Sequence, residues 1–476
     1  MPIVSLLASS FTGGATMFDF AIVGSGVSGA RIAYELTAGG AKCLMIEAGK
    51  VFDHTNYPPD ELGYTGRMFW GGGIEISQDG GLGFLRGKCL GGTSVVNQAD
   101  LNRFDVLAWD DWRDRSGIDY FNLDEMTPLY DHLDSRLVSN QIAPEDYNRN
   151  ARLFIESFEK CGYHWAPILR AQSDCKFDRG SDCIVCLGGC PRDSKQSAVV
   201  TLIPTARKQG LEIETEFAVD HLDDTGPSVK IRGTQRGEKR EVEAARVVLA
   251  AGSFGNTTLL HRCEEIGRKL PALGTRFTCH PQRMTYGIHD EPVGSHKGPL
   301  QSVESHDDRL RSAGLKLENV FAPPIATSLL LPGFGMQHVA LMKKYRYFSG
   351  MEVVIRDDPV GELKIDRKGN LIRAKTLTAA DRAKVKLGLE IATEMHHSVG
   401  AREVIHCEQE FGLHLMGGCP IGTDAKTSVV DPRFQVHGHP KLIAADSSIF
   451  PSAPGINPSF TIMAMSYLAS KKLLEA

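Results

Sequence analysis

No apolar stretch in this chain of 476 residues reaches the roughly 18 residues that a membrane-spanning helix needs, so no membrane span is expected. The first basic residue is Arg31, and a secretory signal needs positive charge near its start. The stretch 1–16, small and mildly apolar (Ile3, Leu6, Leu7), is therefore expected to be a disordered leader, with Met17 a candidate start and a cytoplasmic location. Positive charge is not in excess either: 53 Lys and Arg stand against 58 Asp and Glu, a net charge of −5. That balance excludes general affinity for nucleic acid and suits neutral or cationic substrates. No C-x-x-C-H is present, so this chain carries no c-type haem. Internal repeats and low-complexity tracts are absent. The 11 Cys are an odd number, mostly scattered singly, which suits a reduced compartment rather than a disulfide scaffold. What remains is an ordinary globular composition, 42% hydrophobic and 23% charged, long enough for two or three domains or one enzyme core with a cap.

The most informative segment is Phe20 to Glu47. Phe20-Ala21-Ile22-Val23 is an uncharged run, as a strand buried on both faces requires. Gly24-Ser25-Gly26-Val27-Ser28-Gly29 follows at once. In a dinucleotide loop the first glycine permits the tight turn, the second lets backbone approach a pyrophosphate, and the third lets helix lie close on strand. Ala30 to Ala38 is a helical stretch stopped by Gly39-Gly40. A second strand, Lys42 to Ile46, ends at Glu47, 18 residues after Gly29, near the expected position of the acid that meets a ribose hydroxyl.

Further along, Pro58-Pro59 and Gly71-Gly72-Gly73 mark a loop-rich region, and Trp109 to Cys161 is mostly helical in pattern. Lys195 to Gln209 has the pattern of a helix leading into a strand over Leu211 to Val219. Glu241 to Ala251 predicts a strand ending in Ala251-Gly252-Ser253, with a helix over Asn256 to Cys263. The dinucleotide domain is thus left and re-entered, the mark of an inserted substrate domain. The segment 280–400 is strand-rich and then helical over Ala379 to Val399. A glycine-rich loop, a strand (Leu442 to Ala445) and a helix (Thr461 to Leu474) close the chain.

Two polar groups near that end suit chemistry. His414 precedes a glycine turn, and Asn457 sits near a helix N-terminus, where partial negative charge is favoured. Beside a cofactor, such a His accepts a hydroxyl proton and such an Asn donates to a developing oxyanion. A structural His and a helix cap fit the same residues.

The order of the pieces resembles the glucose–methanol–choline (GMC) oxidoreductases. The resemblance runs from about Asp19 to Ala469, through GSGVSG at 24–29 with EAG at 47–49, RGKCLGGTSVVN at 86–97, VVLAAGSFGN at 247–256, and Leu270 to Pro281. It continues in HLMGGCPIG at 414–422 and AADSSIFP with GINPSFTI at 444–462. The last pair is most similar to the His/Asn branch that includes cholesterol oxidase and choline oxidase. The resemblance implies FAD, with Gly24, Ser25, Gly26 and Gly29 at the pyrophosphate and Glu47 at the adenosine ribose. It sets Gly91, Gly92, Thr93 and Asn97 along the flavin and ribityl chain, with Arg86 and Ala251 also on the cofactor. Val219 would meet the adenine edge and Asp446 the ribityl and phosphate end, with Asn457 and Pro458 at the other side of the flavin. No His lies within 91–97, so the FAD is expected to be non-covalent. The implied reaction is oxidation of a primary or secondary alcohol, such as a sugar, an aminoglycoside or another secondary-metabolite intermediate. His414 would be the base, Asn457 would hold the oxygen, and oxygen or an external acceptor would reoxidise the flavin.

The fold expected is α/β, a discontinuous Rossmann-like FAD domain (17–110, 196–285, 406–476) with an inserted α+β substrate domain (111–195, 286–405) built on an antiparallel sheet. Cys175, Cys183, Cys186 and Cys190 form C-x7-C-x2-C-x3-C-P. Four such thiols suit an iron–sulfur cluster in a cytochrome-linked dehydrogenase subunit, or are ordinary buried and loop thiols, the expected case, with no metal site. A flavin-containing lyase of the hydroxynitrile type is the other alternative. His280 before Pro281 is expected to fix a turn, and His396-His397 point apart on a helix.

Overall fold

The computed structural model describes residues 17–175 and 186–475. The expected leader and Cys183 lie outside them. The uncharged runs Phe20–Val23, Cys43–Ile46 and Val247–Leu249 form the centre of the first sheet. Phe18–Val23 pairs in parallel with Cys43–Ile46 on one side and with Glu238–Leu249 on the other. Glu212–Glu214 adds beyond Cys43–Ile46, and His439–Ala444 beyond Glu238–Leu249, both parallel. Strand order therefore reverses at Phe18–Val23, which opens a crevice at the carboxyl ends of the strands. Ala444, Leu249, Val23, Ile46 and Glu214 end at one level of that sheet. The helices Val27–Ala38 and Ser459–Leu474 pack on each other against it.

Two elements differ from the sequence reading. The expected strand Leu211 to Val219 is broken at Glu216, whose φ is +56°. There the Glu216 and Phe217 N–H groups turn to the carbonyls of Gly49 and Glu47 (3.1 and 3.0 Å), and Phe217–Asp223 leaves to form an antiparallel hairpin with Val229–Gln235. The helix expected from Lys195 begins only at Leu202. Lys195 is buried instead, donating to the carbonyls of Val95, Asn97 and Cys186 at 2.7–2.8 Å. Three carbonyl acceptors satisfy an ammonium that burial disfavours, and they tie the cysteine segment to the second glycine element.

The second sheet is largely antiparallel. Pro281–Ile288 pairs with Phe348–Ile355, which pairs with Leu315–Glu318, then Val303–Ser305 and Trp165–Pro167. Glu410–Gly412, Leu82–Phe84 and Glu75–Ile76 continue the other edge. Successive side chains alternate faces. Leu315, Leu317, Met351 and Val353 enter a buried apolar cluster with Val385, Leu389, Ala392 and Met395 of the helix Ala379–Ser398. The opposite face carries Lys316, Glu318, Glu352 and Glu304 and meets the first domain. The expected boundary at 285 thus falls inside a strand of this sheet. That at 110 falls inside the helix Val106–Ser116, whose Trp112 packs on Phe450 with ring centroids 4.4 Å apart.

Candidate active site

Two of the three loop glycines occupy positions closed to a side chain, and the third faces open space. Gly24 has φ +105°, and a Cβ there would lie 2.3 Å from the Ala250 carbonyl oxygen. A Cβ on Gly29 would lie 2.1 Å from the Gly24 oxygen. At Gly26 a Cβ would meet nothing within 4 Å. Gly26 gives the helix Val27–Ala38 no side-chain cap, and its first backbone bond runs from Ala30 N–H to the Gly26 carbonyl. The preceding N–H groups of the first turn therefore face an open space suited to an anion. A dinucleotide pyrophosphate fits that cradle.

Ser25 joins three elements at this edge. Its hydroxyl donates to Glu47 Oε2 (2.5 Å) and accepts from the Gly91 N–H (2.9 Å). Glu47, ending its strand, also accepts from the Ser25 and Gly49 N–H groups (3.2 and 2.7 Å). Burial raises its carboxyl above the ordinary range against those bonds. Gly92 approaches Gly26, since a Cβ on it would lie 3.0 Å from the Gly26 Cα. Thr93 opens the short helix Thr93–Val96 and takes the Gly87 N–H (3.1 Å), while Asn97 closes it and accepts from Ala99 N–H (3.1 Å). Val219 lies in the hairpin strand that starts beside Glu47. Ala251 precedes the helix Gly252–Arg262 and donates to Asn256 Oδ1 (3.0 Å). Asp446, also buried, accepts from Gly252 N–H (2.7 Å), Asn256 Nδ2 (2.9 Å) and Ser448 N–H (2.8 Å). Its carboxylate holds the Ala251 and Asp446 turns together. Pro458 caps the helix Ser459–Leu474. Arg86 is engaged elsewhere, paired with Glu75 (2.5 Å) and stacked over Trp70.

His414 reaches the same region because its glycine turn packs on those loops. The Gly417 carbonyl accepts from Ser253 Oγ (2.7 Å), and its N–H donates to the Ser447 carbonyl (2.9 Å). Burial lowers His414 to about 4, so its ring is neutral near pH 7. His280 is its partner, with Nδ1 3.1 Å from His414 Nδ1. The Gly455 N–H donates to His280 Nε2 at 2.8 Å. Burial and His414 hold His280 far below the ordinary imidazole value, so it is neutral and its one proton sits on Nδ1, facing His414 Nδ1. His414 then carries its own proton on Nε2. These positions are assigned from the hydrogen-bond partners.

His280 was expected only to fix a turn, yet it orients His414. Its backbone sits at φ +47°, a conformation that disfavours ordinary L residues. Asp357 Oδ1 holds its N–H at 3.0 Å, and Lys375 pairs with Asp357 at 2.6 Å in full burial. Removing one partner of such a pair strands a charge. Lys375→Met is expected to lower unfolding free energy by about 3–5 kcal/mol in a urea titration; a loss below about 1 kcal/mol would show that Asp357 needs no counter-ion.

Asn457 is buried and fully engaged. Its Nδ2 donates to Asp100 Oδ2 and Glu318 Oε1 (3.2 Å each), and its Oδ1 accepts from Lys316 Nζ (2.8 Å). Lys316 Nζ lies 2.6 Å from Glu304 and from Glu318. Burial opposes both charges, but Lys316 holds Glu318 below its ordinary value and the two glutamates hold Lys316 above its own. Burial pushes Asp100 up to about 7, against Arg170. Glu318 and Lys316 also act on the His414 ring, so His414 and Asn457 share one buried network. None of Asp100, Glu304, Lys316, Glu318 and Glu352 sits in a motif; alternation in the strands was the only signal, and it does not say which face meets the site.

Among the described residues no three metal-ligating side chains gather, and no helix is long and apolar enough to cross a membrane.

Models of GMC oxidoreductases match residues 65–282 and 371–466. The chain belongs to the GMC oxidoreductase family. It is accordingly a flavoprotein oxidoreductase acting on CH–OH groups, and FAD is its cofactor. Among its GMC relatives, the uncharacterized GMC-type oxidoreductase Rv0492c of Mycobacterium tuberculosis (H37Rv) is 27% identical, over 97% of this chain and 76% of that protein. The long-chain-alcohol oxidase FAO4B of Arabidopsis thaliana is 24% identical, over 96% of this chain and 67% of that one. The GMC chain also shares its fold with pyridoxine 4-oxidase from Mesorbium loti, at a TM-score of 0.74 and 17% identity, over 96% of this chain and 99% of that one.

Proposed function

We propose that this GMC oxidoreductase oxidises a primary or secondary alcohol to the carbonyl using non-covalently bound FAD. The observation that carries the reading is the buried network in which Asn457 joins Asp100 to Glu318 beside His414. The open turn at Gly26 takes the pyrophosphate, and Glu47 and Asp446 hold the loops that flank it. No His lies within Gly91 to Asn97 to form a covalent link there. Bound FAD supplies the acceptor for the hydride that leaves the carbinol carbon.

Two roles are refined from the resemblance. His414, with its proton on Nε2, donates a hydrogen bond to the alcohol oxygen and steadies the negative charge that grows there. To accept a proton at Nε2 it would need the other tautomer, which sets His280 Nε2–H against the Gly455 N–H. Asp100 takes the hydroxyl proton instead, because a carboxylate titrating near 7 is a base matched to neutral pH. Asn457, with both amide protons committed, orients Asp100 and Glu318.

The test begins with anaerobic addition of alcohols, which should bleach the flavin absorbance. Asp100 works only when ionised, so kcat/KM should rise with pH through about 7 and level above it. Asp100→Asn is expected to lower the plateau rate by about 100-fold or more and to remove the rising limb. A variant that keeps both would assign the base elsewhere.

A further inference from the structure

We propose that the hairpin of the helices Pro324–Leu330 and Gly335–Met342 docks this protein on a lipid bilayer with anionic headgroups, its apolar tip in the interface and its basic flank against the headgroups. Docking does not depend on the reaction proposed above.

The hairpin leaves large apolar side chains in water. Leu329 is 77% exposed, Phe334 88% and Met336 77%. Phe334 stands at the turn between the two helices. Met336 and Val339 follow on one face of the second helix, which has no buried residue although most of its side chains are apolar. Single exposed apolar residues are ordinary on a protein surface, but a run of them around one protruding turn marks a contact surface. The base of the hairpin is firmly held. Phe321 and Leu331 enter the buried cluster of Met284 and Tyr286. Thr327 Oγ1 and Tyr345 Oη donate to the Ala322 carbonyl (2.9 and 3.1 Å). Glu61, from the first domain, accepts from the Ile325 and Ala326 N–H groups (2.8 and 2.6 Å). The tip therefore projects from an anchored base.

Charge selects the occupant. Residues 319–351 contain no Asp or Glu, in a chain whose net charge is −5. The same segment carries Lys343, Lys344 and Arg346, all exposed. Among the described residues only Lys344 of the three has an acidic partner, Glu403 at 3.6 Å. An apolar tip flanked by unbalanced cations is the pattern that binds anionic lipid surfaces. Helices of 7 and 8 residues cannot span a bilayer, so the hairpin lies in its interface. A second copy of this chain would also cover the apolar tip. A two-fold contact sets each patch against itself, however, so it would bring the cations of both copies together with no acid in the segment to offset them.

The holoprotein is co-sedimented at low salt with vesicles of phosphatidylcholine and phosphatidylserine in equal parts, and with vesicles of phosphatidylcholine alone. The mixed vesicles are expected to bind it about 100-fold more tightly, since each of three basic residues at an anionic surface adds several-fold. Salt at about 0.5 M should remove most of that preference. Phe334→Ser combined with Met336→Ser should weaken binding to the mixed vesicles at least about tenfold, with the flavin spectrum unchanged. Lys343→Ser, Lys344→Ser and Arg346→Ser together should make the two kinds of vesicle equivalent. All five side chains are exposed, so folding does not confound the comparison. A holoprotein that binds neither kind of vesicle would overturn the proposal, as would a tip variant that binds as tightly as the wild type. A dimer that the tip variant abolishes, without vesicle binding, would overturn it in favour of a second copy.

Discussion

His414→Ala is expected to lower kcat by about 100- to 1,000-fold, the loss found when one donor to a developing oxyanion is removed. The bound-flavin spectrum should stay unchanged, because no hydrogen bond links the His414 side chain to the glycine loop, Glu47 or Asp446. A second variant separates the two roles open to this ring. The His280–His414 contact and the Gly455 N–H place the resting proton on His414 Nε2, so the ring acts as a donor. A Gln side chain also carries an N–H donor but cannot take a proton near neutral pH. His414→Gln should therefore recover at least about tenfold of the rate lost in the alanine variant. Equal rates in the two variants would mean that the imidazole is the base, that the tautomer reverses during turnover, and that Asp100 has another task. The pH profile is the independent check. A ring lowered to about 4 is neutral over the working range, so the limb near 7 belongs to Asp100 and should survive in His414→Gln.

The other large effect is a contrast within one loop. Gly24→Ala should prevent folding or destabilise by more than about 4 kcal/mol. The new Cβ would sit 2.3 Å from the Ala250 backbone oxygen at a φ of +105°, so backbone, not a flexible side chain, would have to shift. Gly26→Ala should do the opposite. Its φ of −62° suits any L residue, and the Cβ enters open space, so unfolding of the apoprotein should change by less than about 1 kcal/mol. That open space is where backbone would approach the pyrophosphate, so FAD affinity should fall by about 100-fold or more, since a methyl group there displaces the phosphate from its N–H donors. Cofactor content after gel filtration and a denaturation curve read the two effects separately. A Gly26→Ala protein that keeps stoichiometric FAD would place the cofactor elsewhere.

The two parts of the active site differ in how far they were legible. Each glycine of the loop answers a need set by residues within a few positions of it, so spacing alone announced the turn, the cradle and the close packing. Glu47 was legible from its place at the end of an uncharged strand, whereas Ala251 and Asp446 were singled out only by the family resemblance. The breaks at Glu216 and before Leu202 were not legible. Glu216 turns because carbonyls of Glu47 and Gly49 claim its backbone, and Lys195 leaves the helix because carbonyls a hundred residues away satisfy its ammonium. His280 was visible as a His-Pro pair, but nothing in its neighbours announces a left-handed backbone or a ring wedged between His414 and Gly455.

By itself the amino-acid sequence determined the glycine loop, the strands that end beside it, and the two polar residues, His414 and Asn457, in the chain's last segments. Those features are local: turn geometry, buried-strand composition and helix ends are decided by short-range sterics and by the polarity of adjacent residues. Only the tertiary structure decided which partners those polar residues meet. Residues 304, 318 and 352 meet because register brings strands together, Asp100 joins them through Asn457, and no sequence separation encodes register across such distances. The raised Asp100 carboxyl and the neutral His414 ring arise from burial, which takes water from charged groups and leaves their partners to set their state.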